Sequence, residues 1–330
     1  MRLSVLDLSP VTGEATQAEA LRQTLEVAQA AERLGYDRLW LAEHHNIAGL
    51  ASPNPEILIA ALTQVTRRIR LGSGGVMLVN YSPLKVAETF MALEALAPGR
   101  IDLGLGRALG ADARTGGALR SVGSDAFPQY FQLLSTWLLD ASGKVPTPAG
   151  HPIHDIKANP GGPSHPDLFL LCTSQESAAF AGMMGVGMVF AEFIARAEAG
   201  PAIATYRRTF QPSAYRTEPW AGTAVIAYAA ETDEAGWRGD APRRAGTVAM
   251  LSGRRQRFTT IEAAEAFLAE WKGTPVLADV EGRSLAASAD TVRAKLAEKA
   301  QAANADEVFV MSAGPSLGDR IASLELLAPR

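Results

Sequence analysis

Short apolar runs alternate with longer stretches of helical period along the whole of this 330-residue chain. Arg2–Asp7 reads as a brief strand. A Thr16-x-x-Glu19 capping box follows, and Leu21, Leu25, Ala28 and Ala31 then recur at helical spacing until Gly35 ends the helix. Leu39–Trp40–Leu41 is a second strand, and Asn54–Pro55 opens a helix that runs through Val65. Ile69–Gly75 is a third strand, Ser82–Pro83 starts a helix to about Leu96, and Ile101–Gly106 is a fourth strand. Asp125–Leu139 has helical period, while Pro-, Gly- and His-rich Ser142–Pro166 reads as a loop with room for a short hairpin. Leu168–Cys172 and Val186–Phe190 are apolar strands, separated by a helix that Ser174 caps and that runs from Gln175 to about Met184. A helix from roughly Arg196 to Phe210, a strand at Gly222–Tyr228, a helix at Ala289–Ala302, a strand at Asp306–Met311 and a helix from Pro315 to Leu327 complete the pattern.

Eight short strands, nearly all apolar and each separated from the next by helix, predict parallel pairing with helices outside. In a chain of this length that pattern fits an α/β (β/α)8 barrel with insertions at its C-terminal face better than an open sheet. The helix-to-strand joins echo one another at Gly35–Tyr36–Asp37, Pro98–Gly99–Arg100 and Asn304–Ala305–Asp306. Such echoes follow from how any helix-to-strand turn is built and mark no repeat. Arg238–Ser288 breaks the alternation: it shows a basic cluster (Arg254, Arg255, Arg257), an amphipathic helix around Ile261–Trp271 and no barrel strand. The expectation is one domain over residues 1–330, with an insertion at about 238–288. Whether that insertion is a lid or a solvated appendage stays open.

An apolar share of 47% with 20% charged residues describes a globular protein with a full core. A net charge of −4, with no dense Lys/Arg run, offers nucleic acid or an anionic membrane no electrostatic attraction. The single cysteine, Cys172, excludes an internal disulfide and suits a reducing compartment. Asp7 interrupts any export-signal core near the N-terminus, and Ala178–Ala191 is too short to span a bilayer. A soluble, cytoplasmic protein is expected.

Barrel chemistry sits at the C-terminal ends of strands. Those ends carry Glu43–His44–His45, Gly74–Gly75, Gly106–Arg107 and Thr173–Ser174–Gln175–Glu176–Ser177. An imidazole there changes charge near neutral pH and suits acid–base work, although two adjacent histidines cannot both face the axis. Glu–His–His in consecutive positions lacks the helical spacing of a zinc protease and has no third ligand set, so no metal is expected. Gly104–Leu105–Gly106 lacks the rest of a dinucleotide fingerprint. Glycine-lined strand ends followed by a guanidinium admit a flat anionic ligand, but they equally suit a tightly packed barrel with a rim salt bridge. Ser174 opens a helix whose N-terminus favours phosphate, or simply caps it. Cys172, in an apolar strand with no base beside it, reads as a buried, inert thiol.

In combination, Leu41–Ala42–Glu43–His44–His45, Arg70–Leu71–Gly72–Ser73–Gly74–Gly75–Val76–Met77–Leu78, Ser82–Pro83–Leu84–Lys85–Val86–Ala87–Glu88 and Pro98–Gly99–Arg100–Ile101–Asp102–Leu103–Gly104–Leu105–Gly106–Arg107 resemble the bacterial luciferase-like flavin monooxygenases. The likeness is dense to about Arg107, resumes at Leu168–Phe190 and returns at Ala305–Leu327. It implies a TIM barrel that binds FMN, delivered reduced by a separate NAD(P)H:flavin reductase. Reduced FMN and O2 would form a 4a-(hydro)peroxyflavin that oxygenates a small or medium apolar organic substrate. By the same likeness His44 is the catalytic helper and Gly74–Gly75 the site of a non-prolyl cis peptide beneath the ring. Arg107 binds the phosphate, with Glu176 and Ser177 beside it; Glu43, Gly106, Thr173 and Ser174 complete the expected cofactor contacts. A homodimer packed through helices near the second and third barrel units is implied as well. An F420-dependent hydride-transfer enzyme of the same superfamily and a flavin-binding protein without turnover are the rival readings. The loop Ala108–Ser124, the Arg238–Ser288 excursion and Ala286–Ala287–Ser288–Ala289 depart from the family pattern.

Overall fold

The computed structural model describes the chain apart from Arg196, Arg255, Arg330 and the side chain of Ser312. Arg255 of the basic cluster and the expected helix start at Arg196 therefore lie outside the described residues. In chain order the elements are β1 (Arg2–Asp7), α1 (Gln17–Arg33), β2 (Arg38–Leu41), α2 (Pro55–Val65), β3 (Arg70–Met77), α3 (Pro83–Leu96) and β4 (Ile101–Gly106). Next come α4 (Ala113–Ala118), α5 (Phe127–Ala141), β5 (Asp167–Cys172), α6 (Gln175–Met183), β6 (Gly187–Ala191), α7 (Glu192–Ala195), α8 (Ala199–Thr209) and β7 (Ala221–Ala230). The chain ends with α9 (Asp233–Gly239), α10 (Ala241–Leu251), α11 (Ile261–Glu270), α12 (Pro275–Gly282), β8 (Ser284–Ser288), α13 (Ala289–Ala303), β9 (Glu307–Ser312) and α14 (Leu317–Leu327). No described helix is long and apolar enough to cross a membrane.

Strands β1 to β7 and β9 pair in parallel and close on themselves through β9 and β1, which is the expected (β/α)8 barrel. Local chemistry sets the boundaries. Thr16 and Glu19 form the expected capping box of α1, and Asn304 ends α13 in the left-handed conformation (φ 51°). Asn54 and Ser82, by contrast, make no side-chain cap, and the prolines after them do the starting.

The 238–288 segment is more structured than its pattern suggests. Helices α10 to α12 enclose their own apolar core around Val248, Phe258, Phe267, Leu268 and Val280. The segment also contains a strand, β8, which its pattern does not announce and which is not one of the eight that close the barrel. Strand β7 changes neighbour along its length. Residues Met188–Ala191 of β6 pair with Ala221–Ala224, whereas β8 pairs with Ile226–Ala230. Because β9 occupies the other edge of β7, β8 sits above the end of β6 as a ninth strand outside the closed ring. Arg257 Nη1 donates to Ala15 O at 2.9 Å and Arg283 Nη1 to Phe193 O at 2.8 Å, which fastens the insertion to loops at the C-terminal face. A short helix, α4, also lies in the stretch after Arg107 that reads as loop. The Ser142–Pro166 segment contains no described strand, so the hairpin for which it left room is absent from it.

Two cores hold the barrel. The larger lies between strands and helices; the smaller fills the interior with Leu6, Trp40, Ala42, Phe169, Val189, Ala224 and Phe309. The Trp40 ring meets Phe309 at 4.4 Å and Phe169 at 5.0 Å between centroids. Beneath them, the starts of the strands carry a buried ionic floor. Arg38 pairs with Asp102 (2.7 Å) and Glu307 (3.2 Å), and Trp40 Nε1 donates to Asp102 at 2.9 Å. Arg70 also pairs with Asp102, and Ser4 donates to Glu307. Burial pushes the Glu307 carboxyl up in pKa, and Arg38 partly opposes this.

Candidate functional site

Strand β2 directs alternate side chains inward. Trp40 and Ala42 lie in the interior core, so His44 follows on the same face as the chain leaves the strand. The His44 amide donates to Ser52 O at 3.0 Å, which folds the following loop back onto it. Its half-buried ring leaves Nδ1 without a partner among the described residues. Burial pushes its pKa down to about 4, with the neighbouring His45 adding to the effect. At neutral pH His44 is thus an uncharged imidazole whose buried Nδ1 has no partner among the described residues.

Glu43 and His45 face the other way. The fully buried Glu43 carboxylate accepts from Met77 N (2.9 Å), Tyr81 Oη (3.0 Å) and Asn80 Nδ2 (3.3 Å), and it pairs with His45 Nε2 at 2.8 Å. Asn80 donates in turn to Leu109 O at 3.0 Å. Glu43 therefore ties the exits of β2, β3 and β4 together, and the structure spends its oxygens on protein donors. Tyr81 is held well above the usual phenol pKa by burial first and by Glu43 second.

The Gly74–Gly75 peptide is cis. Pairing of Gly74 with Gly104 gives way to Val76 with Leu105, so Gly75 is the extra residue of a bulge. A Cβ on Gly75 would lie 2.7 Å from Gly104 O, and one on Gly104 would lie 2.2 Å from Ser73 O. These glycines let the two strands approach closely. At Gly106 the space of a side chain is already filled, because a Cβ there would meet Met77 Sδ at 2.7 Å. The result is a rim at the exits of β3 and β4 made largely of backbone.

Beyond the rim stands Arg107, exposed and without a hydrogen bond or ion pair among the described residues. Hydrogen bonds from its own backbone and from Ser174 hold the Glu176 carboxyl below its usual pKa, and the Arg107 charge adds a smaller lowering there and at Cys172, at the exit of β5. Burial nevertheless dominates at Cys172 and pushes the thiol up to about 12, in accord with an inert buried cysteine. Ser174 Oγ accepts from Ser177 N at 3.3 Å, and Ser177 Oγ accepts from Thr173 N (3.3 Å) and Ser174 N (3.2 Å). The serine hydroxyls thus build the cap of α6, and the first turn of that helix faces the same corner as Arg107.

Four adjacent strands accordingly present a neutral imidazole, a backbone rim, an unpaired guanidinium and a helix N-terminus. Among the described residues no cluster of three His, Cys, Asp or Glu is placed to hold a metal ion. One feature gave no signal in the sequence: a cavity of ≈ 640 Å³ beside His44, between loop 46–54 and the first turns of α1 and α2. Ser52 lines it, 1% exposed, with its hydroxyl unpartnered among the described residues.

Residues 1–307 match the family model of luciferase-like monooxygenases. Over 98% of this chain and 97% of its own length, the uncharacterized protein YwcH of Bacillus subtilis (strain 168) is 36% identical. The N-acetyl-S-alkylcysteine monooxygenase of the same organism is 38% identical over 81% of this chain and 79% of its own. The crystal structure of apo-MsnO8 superposes with a TM-score of 0.89 at 36% identity, covering 99% of this chain and 97% of that one.

Proposed function

The chain belongs to the luciferase-like monooxygenase family, and on that premise we propose that it is an FMN-dependent, two-component monooxygenase. Its FMN arrives reduced from a separate NAD(P)H:flavin reductase, and it acts with O2 on a small or medium apolar organic substrate. The observation that carries this reading is the unpaired Arg107 beside the first turn of α6, on the same face as the partnerless Nδ1 of a neutral His44. These residues fit a phosphorylated, planar group. When bound, FMN supplies the oxygen-activating chemistry, so no nucleophile or metal is required of the protein.

The residues then divide the remaining work. Arg107 forks onto phosphate oxygens, and the α6 first turn, with Thr173, Ser174, Glu176 and Ser177 around it, adds positive potential. Gly74, Gly75 and Gly106 keep side chains away from the ring. His44, kept uncharged at neutral pH by its depressed basicity, holds one proton on its ring and can accept another at the second nitrogen. Glu43 serves at one remove, by fixing the rim on which the ring would rest. The aromatic interior formed by Trp40, Phe169 and Phe309 excludes water from below. We further read residues 1–330 as one domain with 238–288 as its insertion. A homodimer through α2 and α3 is supported by the exposed Ile57 and Leu96 (65% and 60%).

The decisive measurement is titration with oxidised and reduced FMN and with F420, followed by oxygen uptake in the presence of a flavin reductase. Binding of reduced FMN, and oxygen uptake that differs from that of free flavin, is the expected result. Binding of F420 alone would establish the hydride-transfer reading instead. FMN binding with no change in oxygen uptake would leave a flavin carrier.

A further inference from the structure

We infer that Met77 is a modification site which the protein's own chemistry serves: its thioether takes an oxygen atom from peroxide made at the rim, and the sulfoxide loosens the hold on the flavin. The inference rests on the FMN reading above. Reduced flavin and O2 that meet no organic substrate end as oxidised flavin and H2O2. One oxygen atom of that peroxide then bonds to Met77 Sδ, which is oxidised by two electrons, and the other leaves as water.

Met77 pairs with Gly106 at the last step of the β3–β4 ladder, and its amide donates to Glu43 Oε2 at 2.9 Å, so its main chain is pinned at the rim. From there the side chain crosses the exit of β4. A Cβ on Gly106 would meet Met77 Sδ at 2.7 Å and Cε at 3.0 Å, and one on Gly110 would meet Cγ at 3.0 Å. The sulfur therefore stands where Gly106 has no side chain, beside the residue that precedes Arg107. In a rim made largely of backbone, this thioether is an oxidisable group set at the seat of the ring. Met77 is partly exposed. It is neither sealed in the core like Met91 and Met188 nor open like Met183 and Met250, which are 46% and 50% exposed. A bulk oxidant reaches those last two first, because sulfoxidation follows exposure. An oxidant released at the rim meets Met77 first. Sulfoxidation turns a flexible apolar chain into a polar one. Gly106 and Gly110 close one side of that chain, so the new dipole is carried on the rim itself and disturbs the seat of the ring.

The test runs the full chain in air with FMN, NADPH and a flavin reductase, without organic substrate and with catalase in the solvent to remove escaped peroxide. Peptide mass spectrometry then reads the sulfoxide at each methionine. The expected result is at least about threefold more sulfoxide at Met77 than at Met183 or Met250. Peroxide added to the flavin-free protein should reverse that order. After turnover the wild type should bind FMN at least about fivefold more weakly by fluorescence titration, while Met77→Leu keeps its starting affinity through the same treatment. Oxidation of Met183 and Met250 ahead of Met77 during turnover would overturn the inference. So would an affinity unchanged by the sulfoxide, or an equal loss in Met77→Leu. FMN affinity of the untreated wild type is measured first. If FMN does not bind, the flavin reading falls and this inference with it; FMN binding and turnover with Met77 left intact overturn the inference alone.

Discussion

His44 should make the fold sensitive to acid. In the unfolded chain an imidazole titrates near 6.5, whereas in the fold burial holds His44 to about 4. Between those values the unfolded state binds the proton more readily, so stability rises with pH across the window and is lost as pH falls from 6.5 toward 4. The full gap of about 2.5 pH units corresponds to ~3 kcal/mol. Half-burial of the ring lets solvent screen part of this, leaving ~2 kcal/mol between pH 7.5 and 4.5. The perturbation is His44→Asn, which keeps a polar group and removes the titration. Urea unfolding of both proteins at several pH values in that range gives the two stability curves. Raised carboxyl groups such as Glu56 and Glu307 titrate in both proteins and cancel in the difference. The wild type should lose ~2 kcal/mol more than the variant on acidification. Superimposable curves would show that the ring is hydrated and that the argument from burial is mistaken.

Other residues give sharper contrasts. Gly104→Ala places a methyl 2.2 Å from Ser73 O, against backbone that cannot move cheaply; it should cost ~3 kcal/mol or more in thermal or urea unfolding. Gly117→Ala, in α4 with nothing within 4 Å of the new carbon, should be neutral or stabilise by ~0.5–1 kcal/mol. Arg107→Ala should weaken FMN binding at least about tenfold by fluorescence titration while leaving the melting temperature of the ligand-free protein unchanged, because the side chain has no protein partner to lose. Arg38→Met should destabilise by ~3–5 kcal/mol in urea, since it strands Asp102 and Glu307 in the barrel floor.

The strands and most helices were legible because each carries its own signal: the Thr16–Glu19 box, the prolines at 55 and 83, and the left-handed joins at Gly35 and Asn304. Strand β8 was not, because Leu285–Ala286–Ala287 is short, small and without β-branched residues. The insertion showed α11, expected around Ile261–Trp271, but hid α10 and α12 for a related reason. Its core is rich in alanine, at 241, 245, 249 and 264, and alanine blurs the contrast on which periodicity depends. At the site, position at a strand end sufficed to single out His44 and Arg107. Glu43 also stood out by position, but its four bonds come from residues up to 38 positions away and have no trace in local spacing. The Arg38–Asp102–Glu307 floor and the His44–Ser52 backbone contact are tertiary in the same way, since each exists only once distant strands or loops have met.

The partner change along β7 governs how the helical insertion can evolve or move. The excursion leaves the barrel by α9 and returns by β8, and both pack against the last residues of β7. Its two feet are therefore planted in the sheet rather than on loose tethers. Asp240, clasped by Arg243 and Arg244, with Arg243 also reaching Ser284, marks where the first foot meets the second. Any swing of α10 to α12 must pivot beyond that clasp, and exchange of this module between homologues has to carry Ile226–Ala230 with it.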